Sequence, residues 1–332
     1  MKYLIQTLVY NNIKKYNFWR DKLVILDSSK VIKINNKEIN YVNDFYLCKD
    51  LVIYSKNDFG NLCIIQNQNE INLEGNFYLG SIIFFEHYFM IRQIFDPYDY
   101  QNMYWYKCSL QTFSVLPTKY FIYEFSEIQI SLVNRSLVQG SKSGDKQLWQ
   151  TDISHYGQKR YNHRNEAIDS STPNTISGEV MGYEDTIVVP LSGKQTLALN
   201  INDGSLKWIK ELSASNLLKQ CKDKLYYYFW GEIIEVKIHT GEMTRKLNLN
   251  DFLKKIDDSL FTNYISNGKM LLDFNNNYSN ILVIDLETLT IESYIENEYR
   301  SKMLRVQTGD TIWHDHKVYA KDMLTNTLYV YG

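Results

Sequence analysis

Apolar and polar residues alternate on both sides of a short turn in residues 196–212, TLALNINDGSLKWIKEL. Leu197, Leu199 and Ile201 alternate before Asn202-Asp203-Gly204, and a second run carries Trp208, Ile209 and Leu212. Period-two alternation around an Asn/Asp/Gly turn predicts an antiparallel hairpin. The pattern returns at Val236-Lys237-Ile238-His239-Thr240-Gly241, which runs into EMTRKLNL, and at Ile284-Asp285-Leu286-Glu287-Thr288-Leu289, which runs into TIESYI. One hairpin recurring every few tens of residues, with strands and no helices between, predicts a β-propeller.

Seven copies of the apolar strand, turn, apolar strand and amphipathic strand can be followed. They cover residues 23–42, 51–73, 88–116, 128–153, 186–212, 225–249 and 270–295. An eighth begins at KVYAKDMLTNTLYVYG and reaches Gly332 one strand short. The fold class expected is all-β: a single propeller over residues 1–332 of four-stranded antiparallel blades. The blades number about eight, or seven if the compact 23–42 unit belongs to a neighbour. An unclosed ring would leave two bare sheet edges. Tyr3 to Tyr10, YLIQTLVY, is therefore expected to supply the missing outer strand. Residues 250–261, NDFLKKIDDSLF, break the rhythm with Phe252, Leu253, Ile256 and Leu260 at helical spacing, which predicts a short amphipathic helix between two blades.

Composition supports strands and narrows the function. The 27 Tyr and 15 Phe favour β-structure. Lys and Arg total 36 against 38 Asp and Glu, a net charge of −2, so the basic excess of a nucleic-acid binder is missing. No stretch approaches the roughly 20 continuous apolar residues of a membrane span. The N-terminus lacks a small-residue cleavage site and reads as a strand. Cys48, Cys63, Cys108 and Cys221 are widely spaced with no Cys-x-x-Cys pair, which reads as reduced thiols and a cytoplasmic location.

With Asn200, Asp203, Gly204 and Trp208 in this order, ALNINDGSLKW resembles the repeat of pyrroloquinoline-quinone-type propellers. Gly144 and Trp149 keep the pattern with one extra residue between them. Thr240 and Gly241 keep the turn while Arg245 replaces the tryptophan. Asp285 and Thr288 keep the strand end while Leu289 replaces the glycine. The resemblance covers the second half of the chain well and the first half by strand rhythm alone. It implies structural roles for Trp149, Trp208, Gly204 and Gly241, the tryptophans packing between adjacent blades. Full resemblance to the quinoprotein dehydrogenases would also imply vicinal cysteines and a calcium-holding Glu/Asn/Asp set. The chain has no adjacent cysteines, so neither quinone nor any other cofactor is expected.

No linear catalytic motif is present: there is no Gly-x-Ser-x-Gly, His-Glu-x-x-His or Gly-x-x-x-x-Gly-Lys-Ser/Thr. Trp313-His314-Asp315-His316 sets two imidazoles around a carboxylate, donors that suit zinc. With no third ligand, and placed before the strand Val318-Tyr319, it reads as a surface turn and no metal is expected. Two long connections are the better candidates. Residues 154–177, SHYGQKRYNHRNEAIDSSTPNTIS, lack strand alternation and gather Lys159, Arg160, Tyr161, His163 and Arg164. Residues 93–102, QIFDPYDYQN, gather Phe95, Asp96, Tyr98, Asp99 and Tyr100 around Pro97. Long irregular connections on rigid scaffolds tend to carry function, and aromatic and basic residues are enriched at contact surfaces. In a propeller, these two segments and the 250–261 and 275–280 connections all emerge on one face.

The function expected is therefore a non-catalytic cytoplasmic propeller, monomeric when unbound, that holds another protein on its long-loop face. One concrete form is a bacterial immunity protein masking a toxin. The alternative is an enzyme or a glycan or small-ligand binder using the central channel mouth, which would gather carboxylates or histidines there from several blades.

Overall fold

The computed structural model describes the chain except residues 1, 5, 20, 35–36, 49, 67–68, 95–102, 119–120, 143–145, 157–159, 162–166, 169–173, 193–194, 213–218, 230, 257–260, 275–279, 297–310 and 323–324. The described residues form seven sheets of four or more strands, antiparallel except for one added two-residue strand, together with a two-stranded hairpin and one short helix. One sheet has seven strands because the 16-residue strand Asn69–Phe84 serves two blades at once. Counted that way, the strands make eight four-stranded groups. They fall into two compact units.

The first unit holds residues 1–4 and 121–303. Its blades, the fourth to the seventh, begin at Tyr123–Phe125, Met181–Tyr183, Lys219–Cys221 and Phe261–Ser266. They end on the outer strands Lys146–Asp152, Leu206–Lys210, Met243–Asn248 and Thr290–Ile295. The hairpin at 196–212 is present as Thr196–Asn200 and Leu206–Lys210. Each outer strand carries a bulge at the same place, with Leu148, Lys207, Thr244 or Glu292 as the extra residue. Such a bulge re-aims the side chains beside it.

Just past the bulge, Trp149, Trp208, Arg245 and Ser293 occupy equivalent positions, opposite Gly140, Ala198, Glu235 and Val283. The first three lock one blade to the next. The indole of Trp149 donates from Nε1 to the Ile201 carbonyl at 2.7 Å, and that of Trp208 to the Ile238 carbonyl at 2.7 Å. Arg245 donates to the equivalent Leu286 carbonyl at 2.9 Å and to Glu287 O at 2.6 Å. Ile201, Ile238 and Leu286 use their own N–H groups on the carbonyls of Asp185, Asp223 and Gly268 in the same blade. Their buried backbone groups are thus satisfied on both sides.

The turn glycines follow from the locks. A Cβ on Gly204 would run into the Trp149 ring, and one on Gly241 would lie 2.8 Å from the Trp208 ring. Both glycines are left-handed, with φ of 71° and 66°. Leu289 keeps the same backbone region at φ 52°. There the incoming group is the slender Arg245, and a buried leucine takes the glycine's place.

The second unit holds residues 5–120 and 304–332. The eighth blade runs Thr311–His314, Lys317–Asp322, Thr327–Tyr331, and is completed by Gln6–Tyr10. That antiparallel pairing places Leu8 opposite Val330 and Tyr10 opposite Leu328. Closure by an N-terminal strand therefore holds, with a correction to its extent. Lys2–Tyr3 does not join the eighth blade; it runs parallel to the outer strand of the seventh, Lys2 opposite Ser293. An edge strand's unpaired backbone groups make such a seat available.

Blades one to three run from Ile13–Trp19 to Val115–Thr118. The copy expected at 51–73 continues through Glu74-Gly75-Asn76 to Phe84, pairing first with Phe59–Gln66 and then with Tyr88–Ile94. No loop separates the second blade from the third. The helix is also shorter than expected: it spans Asn250–Ile256, and Phe261 instead opens a strand opposite Phe274. Phe252 packs edge-on to Tyr294 with ring centroids 5.0 Å apart, so the apolar side of this turn of helix faces the seventh blade.

Candidate functional site

The 154–177 connection starts from buried Ile153 and returns at Asn174, which is 2% exposed. Asn174 binds both ends of the connection to the body of the unit. Its N–H donates to Ser154 O at 2.9 Å, its side-chain amide donates to Tyr156 O, and its Oδ1 accepts from Ser192 Oγ at 3.3 Å. Its carbonyl accepts from Ser136 Oγ at 3.3 Å. Ile176 N donates to Arg135 O and Ser177 N to Pro190 O. Between these anchors the connection is not wholly irregular: Arg160–Tyr161 pairs with Ala167–Ile168 as a two-stranded hairpin. Two of the expected contact residues, Arg160 and Tyr161, thus lie on one strand. Lys159, His163 and Arg164 lie outside the described residues, as do Phe95, Asp96, Tyr98, Asp99, Tyr100 and residues 275–279.

His314, Asp315 and His316 form the turn between Thr311–His314 and Lys317–Asp322. The His314 ring stacks on Phe18 at 3.9 Å, and Asp315 and His316 are left-handed at φ 46° and 58°. Among the described residues no group of three or more His, Cys, Asp or Glu side chains could hold a metal ion. No described helix is long and apolar enough to cross a membrane.

Two polar clusters in the first unit were not legible in the sequence. In one, His239 stands between two turn carboxylates of the preceding blade. Its Nε2 lies 3.4 Å from Glu184, and its Nδ1 lies 3.3 Å from Asp185 and 2.9 Å from Thr186 Oγ1. Lys207, the bulged residue of the fifth blade, reaches Asp185 at 2.8 Å and Thr186 Oγ1 at 2.7 Å. The Lys207 hydrogen bond holds the Asp185 carboxyl below its ordinary range, against the opposing effect of partial burial. A hydroxyl, an imidazole and a carboxylate are the parts of a nucleophilic site. Thr186 has no exposed surface, however, so its hydroxyl serves as a node between blades.

In the other cluster Glu235, 1% exposed, faces Arg245. It also accepts from Thr244 Oγ1 at 2.5 Å, Tyr226 Oη at 3.1 Å and Lys224 Nζ at 3.2 Å. Burial by itself pushes the carboxyl up. The hydrogen bonds from Arg245, Thr244, Lys224 and Tyr226 outweigh it and bring the pKa down to about 2. A permanently charged, fully bonded carboxylate is a poor proton carrier at neutral pH. The pair holds Arg245 in line with the Leu286 carbonyl. Only the tertiary pairing of Glu235 with Arg245 identifies it, since the two are ten residues apart in a pattern that otherwise carries tryptophan.

No protein-family model matches the chain, and neither does any curated protein. Its likeness is to solved structures. The C-terminal WD40 domain of Sif2 is similar over 100% of this chain and 98% of that one, at 10% identity and a TM-score of 0.61. The computationally designed Ika8 protein is similar over 100% and 99%, at 13% identity and a TM-score of 0.58. BamB from Moraxella catarrhalis is similar over 99% and 97%, at 8% identity and a TM-score of 0.54. Sheets and neighbours agree on the architecture. The fold is a β-propeller. At these identities the likeness extends to fold and no further.

Proposed function

We propose that the chain is a non-catalytic, protein-binding propeller whose contact surface in the first unit is the 154–177 connection. The observation that carries this reading is the anchoring of that connection. A buried asparagine bonded to Ser154, Tyr156, Ser192 and Ser136 holds its base, and a two-stranded hairpin that includes Arg160 and Tyr161 lies between the anchors. Rigid mounting lowers the ordering cost of binding, and Arg and Tyr are enriched among residues that dominate interface energies. The locks of Trp149 over Gly204 and Trp208 over Gly241 support a kinship with pyrroloquinoline-quinone-type repeats at the level of blade architecture. No cofactor forms part of the proposal. Four free thiols support a cytoplasmic setting. Within it, the narrower form is an immunity protein that covers a toxin's active site.

The test replaces residues 157–172 with a short Gly-Ser linker and compares proteins crosslinked to the two chains in their native cell. A specific partner held by the natural chain and lost by the linker variant, at unchanged melting temperature, supports the proposal. Equal capture by both chains refutes this placement of the surface. For the immunity form, coexpression with the candidate toxin should protect cells only when Arg160 and Tyr161 are intact.

A further inference from the structure

The outer strand of a blade pairs on one side only, and its outward N–H and C=O groups can template a further strand. Proteins blunt such edges with charged residues, with proline or with a covering segment. Among the described residues, seven of the eight blades do so. The first carries Lys37 and Glu38, the second Glu70 and Glu74, and the third Pro117. The fourth carries Lys146 and Asp152, the fifth Lys207 and Lys210, and the sixth Arg245 and Lys246. The seventh carries Glu292 and is covered by Lys2–Tyr3.

The eighth blade differs. Its outer strand, Gln6–Tyr10, reads QTLVY, with neither charge nor proline. Among the described residues no strand lies on its far side. Leu8 and Val9 are 49% and 44% exposed, and as neighbours in a strand they open on opposite faces of the sheet. Leu8 and Tyr10 lie opposite Val330 and Leu328, both fully buried. The apolar interior of the blade thus runs out to an open edge.

The strand is also complementary to itself. Thr7 is the extra residue of its bulge, which leaves Leu8–Tyr10 as a regular stretch centred on Val9. A twofold axis at Val9 sets Val9 of one copy against Val9 of the other, and Leu8 of each against Tyr10 of the other. Aromatic and β-branched cross-strand pairs stabilise a sheet, and no like charges meet in this register. Tyr10 of the second copy would lie beside Leu8, which the chain itself leaves half open.

We propose that Gln6–Tyr10 is a homodimer interface, at which a second copy of this chain adds its own Gln6–Tyr10 strand and joins two eighth blades into one antiparallel sheet. The occupant is a second copy because the neutral strand, turned about its own centre, supplies the apolar partners that Leu8 and Val9 lack. The pairing consumes both open edges, so association closes at two copies. A dimer replaces the monomer expected from the sequence. The interface shares no residue with the 154–177 connection, so the two readings fail or stand separately.

The test is sedimentation of the full chain from about 1 to about 500 µM. A reversible monomer–dimer equilibrium is expected, with Kd on the order of 100 µM, since a few strand residues bury less than a standard interface. Val9→Lys and Val9→Glu should each weaken the dimer at least about tenfold, because like charges then meet across the axis. An equimolar mixture of the two should recover a dimer holding one of each. Should either charged chain fold poorly, Val9→Cys under mild oxidation should give a disulfide-linked dimer well above any background from the four native cysteines. A chain monomeric at every concentration would overturn the proposal, even if a strand of another protein then binds this edge. Retention of the dimer by both charged chains would overturn it too, as would a mixture of folded charged chains that stays monomeric, or a Val9→Cys chain that crosslinks no more than the natural one.

Discussion

The two units hold their blades together at opposite ends of the strands' order. In the first unit the outer strands do it: Trp149, Trp208 and Arg245 each reach a turn carbonyl of the next blade. In the second unit the described links come from inner strands. Tyr16 Oη donates to Tyr319 O at 2.7 Å, Lys321 Nζ to Lys14 O at 2.6 Å, and Lys15 meets Asp44 at 2.8 Å. The position equivalent to Trp208 in the eighth blade is Leu8, next to the bulge and 49% exposed. The second and third blades need no side-chain lock, because one strand belongs to both. The lesson concerns what each device asks of the sequence. An indole laid on a left-handed turn demands glycine at a fixed distance. A shared strand or an inner-strand hydroxyl demands only alternation.

Breaking the outer locks should have the largest effect. Trp208→Ala removes a buried indole and its bond to Ile238 O, and should cost roughly 3–5 kcal/mol in chemical denaturation. Arg245→Ala strands Glu235 as a buried carboxylate without its guanidinium and should cost roughly 3 kcal/mol at neutral pH. Arg245→Lys should recover only part of this, because the two-carbonyl fork is lost.

Acid sharpens the same point. Glu235 has a folded pKa near 2, below its ordinary 4.5. Its contribution is present above pH 4.5 and is lost as pH falls toward 2, on the order of 3 kcal/mol. Glu235→Gln should flatten that part of the stability–pH curve; an unchanged acid limb would show that the carboxylate is not held as described. In the second unit the effects shrink. Tyr16→Phe should cost about 1 kcal/mol, one buried hydrogen bond. Lys15→Ala, which removes a half-exposed ion pair and a cation lying 3.8 Å from the Tyr46 ring, should cost under about 1 kcal/mol. A Tyr16→Phe loss as large as that of Trp208→Ala would erase the contrast between the units.

The same contrast explains what could be read in advance. The hairpin at Asn202-Asp203-Gly204 and the Trp–Gly spacing were legible because geometry leaves few residues that satisfy them. Arg245 looked like a lost tryptophan. Its role needed Glu235, whose partnership arises from strand register and leaves no local sequence pattern. Glu74-Gly75-Asn76 has the composition of a turn, yet ladders on both sides keep it extended. The 154–177 connection was visible as a break in alternation, while its clamp was not, since Asn174 is an ordinary polar residue until Ser136, Ser154, Tyr156 and Ser192 come around it.

By itself the sequence determined that this chain is built of repeated antiparallel strands closed from its N-terminus. Alternation and turn chemistry act over a few residues and need no knowledge of neighbours. Beyond that closure, only the tertiary structure decided which strands share an edge: Asn69–Phe84 joining two blades, and Lys2–Tyr3 lying parallel on the seventh. Every bare strand edge offers the same backbone donors and acceptors. The choice among edges is made by burial and register between residues distant in the chain, which no local pattern records.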